Sequence, residues 1–184
     1  MRGRPKNAWL RRLAGPVPYK DWITARGSLT ARLQAASRRF ELRCLRQCLA
    51  PLSPDEAGRL GLRPGSLAWV REVLLLTDGE PAIFAHTVMA RRPRHPFDLR
   101  FGALGERSLG SLLFADPRIA RGPLEFRRLD HRHPLYRRAE AALGPLPTCL
   151  WARRSRFGSR AKGVLVSELF LPAILTLEPG IRTA

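Results

Sequence analysis

From residue 69 the chain reads WVREVLLLTDGEPAIFAHTVMARR, two runs rich in apolar residues on either side of Thr-Asp-Gly-Glu. Asp78-Gly79 is the kind of pair that closes a tight hairpin, and the pattern predicts antiparallel strands over about 69–76 and 82–90. Alternate strand residues point to opposite faces. Trp69, Arg71, Val73 and Leu75 therefore share one face, and Val70, Glu72, Leu74 and Leu76 the other. Arg71 stands among apolar neighbours, where a guanidinium is costly unless an anion meets it, either a side chain or a ligand.

The same reading extends along the chain. In SLTARLQAASRRF, Ser28 is placed to cap a helix carrying Leu29, Leu33, Ala36 and Phe40 on one face. SPDE at 53–56 is a capping box with Pro54 at the first helical position, and Gly58 and Gly61 keep that helix short. RSLGSLLFAD repeats the device, with Ser108 as cap and Leu109, Leu112 and Leu113 on one face. LEFRRL predicts a strand over 124–129, and PLYRRAEAAL a short helix between Pro134 and Leu143, inserted before the sheet resumes. A second hairpin follows: CLWARRSRFGSR runs up, a glycine-rich turn around 158–163 reverses the chain, and VLVSELFL returns. On the returning strand Val164, Val166, Glu168 and Phe170 share a face, so Glu168 is a carboxylate on an apolar face as Arg71 is a guanidinium on one. Strands with interspersed helices but no regular βαβ alternation indicate an α+β fold with an antiparallel sheet.

A length of 184 residues with 45% hydrophobic content suits one domain with a sizeable core, expected over 21–184 behind a flexible N-terminal arm at 1–20, where Pro5, Gly15, Pro16 and Pro18 interrupt regular structure. The basic N-terminus lacks the apolar stretch of a signal peptide. The most apolar segment, VLVSELFLPAILTL, is short and broken by Glu168 and Pro172, so no membrane insertion and a cytoplasmic location are expected. Cys44, Cys48 and Cys149 have neither disulfide nor zinc spacing and read as reduced thiols; His131 and His133, without a carboxylate or thiol cluster, read as solvated. The formal charge of +18 invites a nucleic-acid reading, yet 30 of the 33 basic residues are arginines scattered from end to end, and no nucleic-acid-binding motif accompanies them. No nucleic-acid partner is expected, whereas an anionic small molecule gains from the same positive field.

Two readings of Arg71 and Glu168 follow. In the first they pair with each other, fix strand register and do no chemistry. In the second they stand at opposite ends of a pocket, Arg71 taking a carboxylate and Glu168 accepting from a hydroxyl at the far end of a flat ligand. Helix N-termini at Leu29 and Leu109 then offer backbone N–H groups to oxygens of that ligand. Arg153 shares a face with Trp151, Ser155 and Phe157 and is a candidate for a second carboxylate, with a solvated role as the alternative; Arg154 and Arg156 fall on the opposite face and read as structural or exposed.

WVREVLLLTDGEPAIFAHTV, SLGSLLF and LWARRSRF followed by LVSELFLPA, in that order, resemble the chorismate lyase family of the bacterial ubiquinone pathway from about residue 22 onward. The stretch 130–147 looks like an insertion, and at His86 the family pattern RTV has arginine. The resemblance implies a cofactor-free lyase that converts chorismate to 4-hydroxybenzoate and pyruvate, the first committed step of ubiquinone biosynthesis, on an antiparallel sheet with helical flaps; a monomer is expected because no exposed apolar stripe is left over. It assigns the ring carboxylate to Arg71 and the backbone of Leu29, and the ring hydroxyl to Glu168 and the backbone of Leu109. The arginine strand with its Asp-Gly-Glu-Pro turn also resembles the effector-binding domain of GntR-type repressors. A sensor of that type is expected to bring a DNA-binding winged helix, for which the residues before Trp22 leave no room.

Overall fold

The computed structural model describes residues 8–13, 15–91, 101–110, 113, 119–158 and 163–178. Along the chain run α1 (Lys20–Ile23), α2 (Leu29–Ala36), β1 (Phe40–Pro51), α3 (Pro54–Leu60), β2 (Leu67–Thr77), β3 (Glu80–Ala90), β4 (Glu125–Leu129), α4 (Pro134–Leu143), β5 (Leu150–Phe157) and β6 (Val164–Phe170), with a 3-10 turn at Pro172–Thr176. The strands form one antiparallel sheet in the order β1-β2-β3-β6-β5-β4, which makes the fold α+β. The β2–β3 turn has Asp78 at φ 52° and Gly79 at φ 90°, the left-handed pair that a tight hairpin requires. Of the glycine-rich turn expected around 158–163, residues 159–162 lie outside the described residues, as does Leu112 of the expected helix after Ser108.

Local chemistry accounts for the helix ends. Ser28 Oγ accepts from Ala31 N, and Ser53 and Glu56 form the reciprocal capping box at α3. Such caps contribute about 1 kcal/mol each. Helix α2 ends at Ala36, earlier than a face reaching Phe40 requires: Ser37 is extended and its Oγ donates to Leu33 O at 2.8 Å, so the chain leaves the helix and Phe40 opens β1. The stretch expected as a flexible arm is held where it is described. Leu10 and Phe126 exchange backbone hydrogen bonds of 2.9 and 2.7 Å, and Tyr19 stacks on Phe170 with ring centroids 5.5 Å apart.

The sheet is covered on both faces. On one, Trp22, Ile23, Leu29 and Leu33 of α1 and α2 pack on Val73, Leu75, Ala85 and Phe170. On the other, Leu135, Tyr136 and Ala139 of α4 pack on Leu74, Phe84 and Leu169, while Ala57 and Leu60 of α3 pack on Val70, Val88 and Leu165. His131 is exposed, whereas His133 is half-buried: its Nδ1 caps α4 by accepting from Leu135 N at 3.2 Å, and burial with the nearby Arg127 charge brings its pKa down to about 4.

On the helix-covered outer face a charged chain ties α3 and α4 to the sheet. His86 Nε2 meets Glu56 Oε1 at 2.9 Å, His86 Nδ1 meets Glu72 Oε1 at 3.1 Å, and Arg138 Nη1 donates to the same Glu72 oxygen at 2.9 Å. Burial of His86 disfavours its charge, but hydrogen bonds to Glu56 and Glu72 and the Glu56 charge outweigh both burial and Arg138, so its pKa is raised. Glu56 is likewise opposed by burial, yet His86 and the Ser53 cap bring it down to about 2. The fold thus favours protonated His86. That contribution is complete below the ordinary imidazole value of about 6.5 and is lost as pH rises through the elevated folded value. We expect the thermal midpoint to decline over that window, and His86→Leu to remove this component of the pH dependence while lowering stability by about 3 kcal/mol, as for breaking a buried charge pair. Thermal unfolding of both proteins at a series of pH values checks this; parallel curves would show that His86 does not titrate.

Candidate active site

The central strands set two rows of residues across the inner face. Register places Gln47, Arg71, Thr87, Val166 and Ser155 in one row, and Cys44, Val73, Ala85, Glu168, Arg153 and Phe126 in the next. Arg71 and Glu168 therefore lie two strands and one pleat apart, roughly 12 Å between Cα atoms from ideal sheet spacings, with the small side chains of Val73, Ala85, Thr87 and Val166 between them. These residues floor a cavity. Its roof is the start of α2, Gly27 to Thr30, with Ser108, Leu109, Gly110 and Leu113, and Arg121 and Phe157 close one side.

All four residues singled out from the sequence, Arg71, Glu168, Leu29 and Leu109, line this cavity. Arg71 and Glu168 do not pair with each other. Arg71, 2% exposed, donates from Nη1 to Gln47 Oε1 at 2.5 Å and from Nη2 to Arg107 O at 3.1 Å, with Cys44 Sγ 3.6 Å from Nη1. Burial lowers its pKa from the usual arginine value. Glu168 instead receives Arg153 Nε on Oε2 at 2.5 Å, directly across the β5–β6 ladder. Arg153 is fully buried, which removes the solvated alternative; its Nη1 lies 3.3, 3.3 and 2.8 Å from the carbonyls of Trp22, Ile23 and Ala25. Arg154, on the other face, is structural, bonded to Glu125 and Asp55 at 2.8 and 2.6 Å. His86 also faces away from the cavity, so it makes no anion contact there.

At the two helix starts, Leu29 follows the Ser28 cap, and residues 109–110 are helical with Ser108 Oγ accepting from Gly110 N at 3.1 Å. First-turn amides have no acceptor within their own helix, so both starts bring donors to the roof. Ser108 Oγ and Thr30 Oγ1 meet at 3.3 Å, joining the two halves of the roof.

Two contributors were not apparent in the sequence. Arg121 donates from Nε to Ser155 Oγ at 2.9 Å and from Nη1 to the carbonyls of Arg26 and Gly27, so it holds the segment leading into α2. Gln47 accepts from Arg71 while its Nε2 donates to Gly102 O at 2.6 Å and Phe101 O at 3.3 Å, coupling the guanidinium to the backbone leading to the roof. No signal marks Arg121 in ARGPLEF, and Gln47 becomes visible only once 40–51 is read as a strand.

The architecture is a six-stranded antiparallel sheet with helical segments closing over a cavity that carries charges at both ends. The effector domain of PhnF from Mycobacterium smegmatis has this fold, with a TM-score of 0.52 at 19% identity over 81% of this chain and 91% of that one. Sequence is more specific. The chorismate lyase family profile matches residues 8–178, and the chain belongs to that family. Its relatives include a probable chorismate pyruvate-lyase of Aromatoleum aromaticum, 50% identical over 96% of this chain and 99% of the relative. Another, from Azoarcus sp., is 47% identical over 95% and 91%.

Gln47→Leu removes the acceptor of Arg71 and two backbone anchors at once. We expect a stability loss of about 2 kcal/mol, in the range for hydrogen bonds to a charged group, with faster amide exchange in residues 101–110. Hydrogen-exchange mass spectrometry checks this; unchanged protection there would show that Gln47 does not anchor the roof.

Proposed function

We propose that the cavity binds chorismate and converts it to 4-hydroxybenzoate and pyruvate, supplying the first committed step of ubiquinone biosynthesis. The observation that carries this reading is charge: Arg71, Arg121 and Arg153 against Glu168 leave the described lining with a formal charge of +2, complementary to a substrate with two carboxylates and a hydroxyl. Family membership and the names of the relatives support the same substrate.

Arg71 holds the ring carboxylate, helped by the amide end of α2 at Leu29, and Glu168 with the helix start at Leu109 holds the ring hydroxyl. A flat ring between them lies over Ala85 and Val73, where larger side chains would fill its place. The cavity, about 70 Å3 in volume, lies under two helix starts that the Ser108–Thr30 contact joins. The reaction is an elimination: the ether C–O bond breaks, the neighbouring ring hydrogen is lost as a proton, the ring becomes aromatic, and the enolate takes up a proton to give pyruvate. Neither a redox change nor a covalent intermediate is needed, so the contribution asked of the protein is to hold a reactive conformer and stabilise charge. The likeness to regulator effector domains is one of fold and does not favour a sensing role.

Incubating the purified protein with chorismate and measuring both products tests the reading, and a folded protein without turnover would overturn it. Arg71→Ala should lower kcat/KM by more than tenfold, corresponding to about 2–5 kcal/mol for removing one partner of a buried charge pair. Glu168→Gln should lower turnover, and 4-hydroxybenzoate should raise the wild-type thermal midpoint well beyond benzoate, which lacks the hydroxyl that satisfies Glu168. Equal stabilisation by the two ligands would remove Glu168 from the hydroxyl subsite.

A further inference from the structure

The cavity holds one buried donor to which neither the fold nor the roles above give a partner. Arg153 is fully buried, its Nε is taken by Glu168 and its Nη1 by backbone carbonyls, yet its Nη2 has no hydrogen-bond partner among the described residues. A buried charged donor left unpaired carries its full desolvation cost, so an oxygen supplied by a ligand is the natural complement. The other orphaned nitrogens, on Trp9, Arg59 and Arg156, belong to residues that do not line this cavity.

Its position selects which oxygen. Arg153 lines the cavity and is bonded to Glu168, so its guanidinium belongs to the hydroxyl end, two strands from Arg71. In chorismate the ether-bearing carbon adjoins the hydroxyl-bearing carbon. A ring oriented by Arg71 and Glu168 therefore hangs its three-carbon arm beside Arg153. Arg121, in the same lining, spends its Nε on Ser155 and its Nη1 on the segment before α2. Burial and then the like charge of Arg153 lower the Arg121 pKa, with Glu168 opposing, so these guanidiniums repel each other across a space that an anion would neutralise.

Resting on the chorismate reading, we propose that Arg153 Nη2, with Arg121 beside it, receives the carboxylate of the enolpyruvyl arm, and that Arg153 is a catalytic residue which stabilises the leaving enolate. When the C–O bond breaks, its electron pair goes to the arm and the ring proton is lost. The departing fragment is then an enolate carrying its own carboxylate, more negative than in the ground state, so a fixed guanidinium at that spot favours the transition state over the substrate. Once pyruvate has left, the aromatic product retains the Arg71 and Glu168 contacts but no longer uses Nη2. The Nη2 contact therefore acts on substrate and leaving group and not on the product.

That separation gives the test. Arg153→Lys keeps a cation opposite Glu168 but cannot also supply the second nitrogen. Two ligands are titrated calorimetrically: 4-hydroxybenzoate, and the dianionic 3-(carboxymethoxy)-4-hydroxybenzoate, whose side arm imitates the enolpyruvyl carboxylate. In the wild type the dianion should bind about tenfold more tightly. In Arg153→Lys the disturbed Glu168 contact weakens both ligands alike, but the preference for the dianion, read as the ratio of the two affinities, should vanish, and kcat/KM for chorismate should fall by at least about tenfold. No dianion preference in the wild type, or a preference unchanged in the variant, overturns the proposal. If Arg153→Lys does not fold, Arg121→Gln is titrated instead; it should reduce the dianion preference, again read as the ratio of the two affinities, and an unaltered preference overturns the proposal. These binding measurements do not depend on turnover, so a wild type that fails to convert chorismate would count against the proposed activity and not against this subsite.

Discussion

What the cavity contains depends on two slips of register, each of one residue. Counting back from Thr77 opposite Glu80, an unbroken β2–β3 ladder would set Arg71 opposite His86; the irregularity after Leu76–Pro81 sets Arg71 opposite Thr87 and His86 opposite Glu72 on the other face. An unbroken β1–β2 ladder would likewise set Arg46 opposite Arg71, a like-charge pair; the irregularity between Cys44 and Arg46 puts Gln47 there instead. Since side chains alternate with period two, a slip of one exchanges faces. Without these two irregularities the cavity would gather unpaired cations around Arg71. With them it gains a neutral acceptor on one side and a small hydroxyl on the other, and the imidazole goes to the face where carboxylates await it.

The second constraint is the buried pair of Arg153 and Glu168. Taking both charges from water costs several kcal/mol per ion, and one mutual bond does not offset that by itself. Here the backbone helps: carbonyls at and after the end of α1 converge on Arg153 Nη1, so the same guanidinium orients Glu168 and fixes the segment that leads into the roof. Arg121 secures the next residues of that segment. The path from α1 to α2 is thus built on the cations of the cavity, and sheet, roof and charge distribution stand or fall together. On the opposite face the chain from Glu56 through His86 and Glu72 to Arg138 seats two helices, including the one in the 134–143 stretch, without touching the cavity.

Legibility in the sequence followed periodicity. Both hairpins could be read because each sets two runs rich in apolar residues on either side of a turn, and Arg71 and Glu168 stood out as charges that break an apolar face. The serine caps at Ser28 and Ser108 and the capping box at Ser53 were equally plain. Strand β1 was not, because the irregularity at Leu45 switches the inward set from Leu42 and Cys44 to Gln47, and neither a helical nor an alternating template fits FELRCLRQCLA. The same break hid the partner of Arg71. The partner of Glu168 lay hidden for another reason: pairing Arg153 with it requires the β5–β6 register, which the segment between the strands sets and the strands do not. Arg121 acts from an isolated bridge position opposite Phe157, outside any periodic element, where pattern has nothing to say.

A cavity of this kind separates affinity from turnover by where its charges are already satisfied. Arg71 is held by Gln47 and the Arg107 carbonyl on one side, yet a guanidinium has five N–H donors, so it keeps capacity for a ligand carboxylate without reorganising. Glu168 is oriented by Arg153 through one oxygen, which leaves the other to a hydroxyl. Under the proposed reading both ends are preorganised for groups that substrate and aromatic product share, and preorganisation there strengthens binding of the two alike, which by itself adds nothing to kcat. Rate has to come from a group that sees the difference between them. Under the proposed binding mode the position where they differ, beside the hydroxyl-bearing carbon, falls to Arg153, whose Nη2 is unpaired among the described residues, and the cost of keeping that donor buried and unmatched is the free energy available to favour the departing arm.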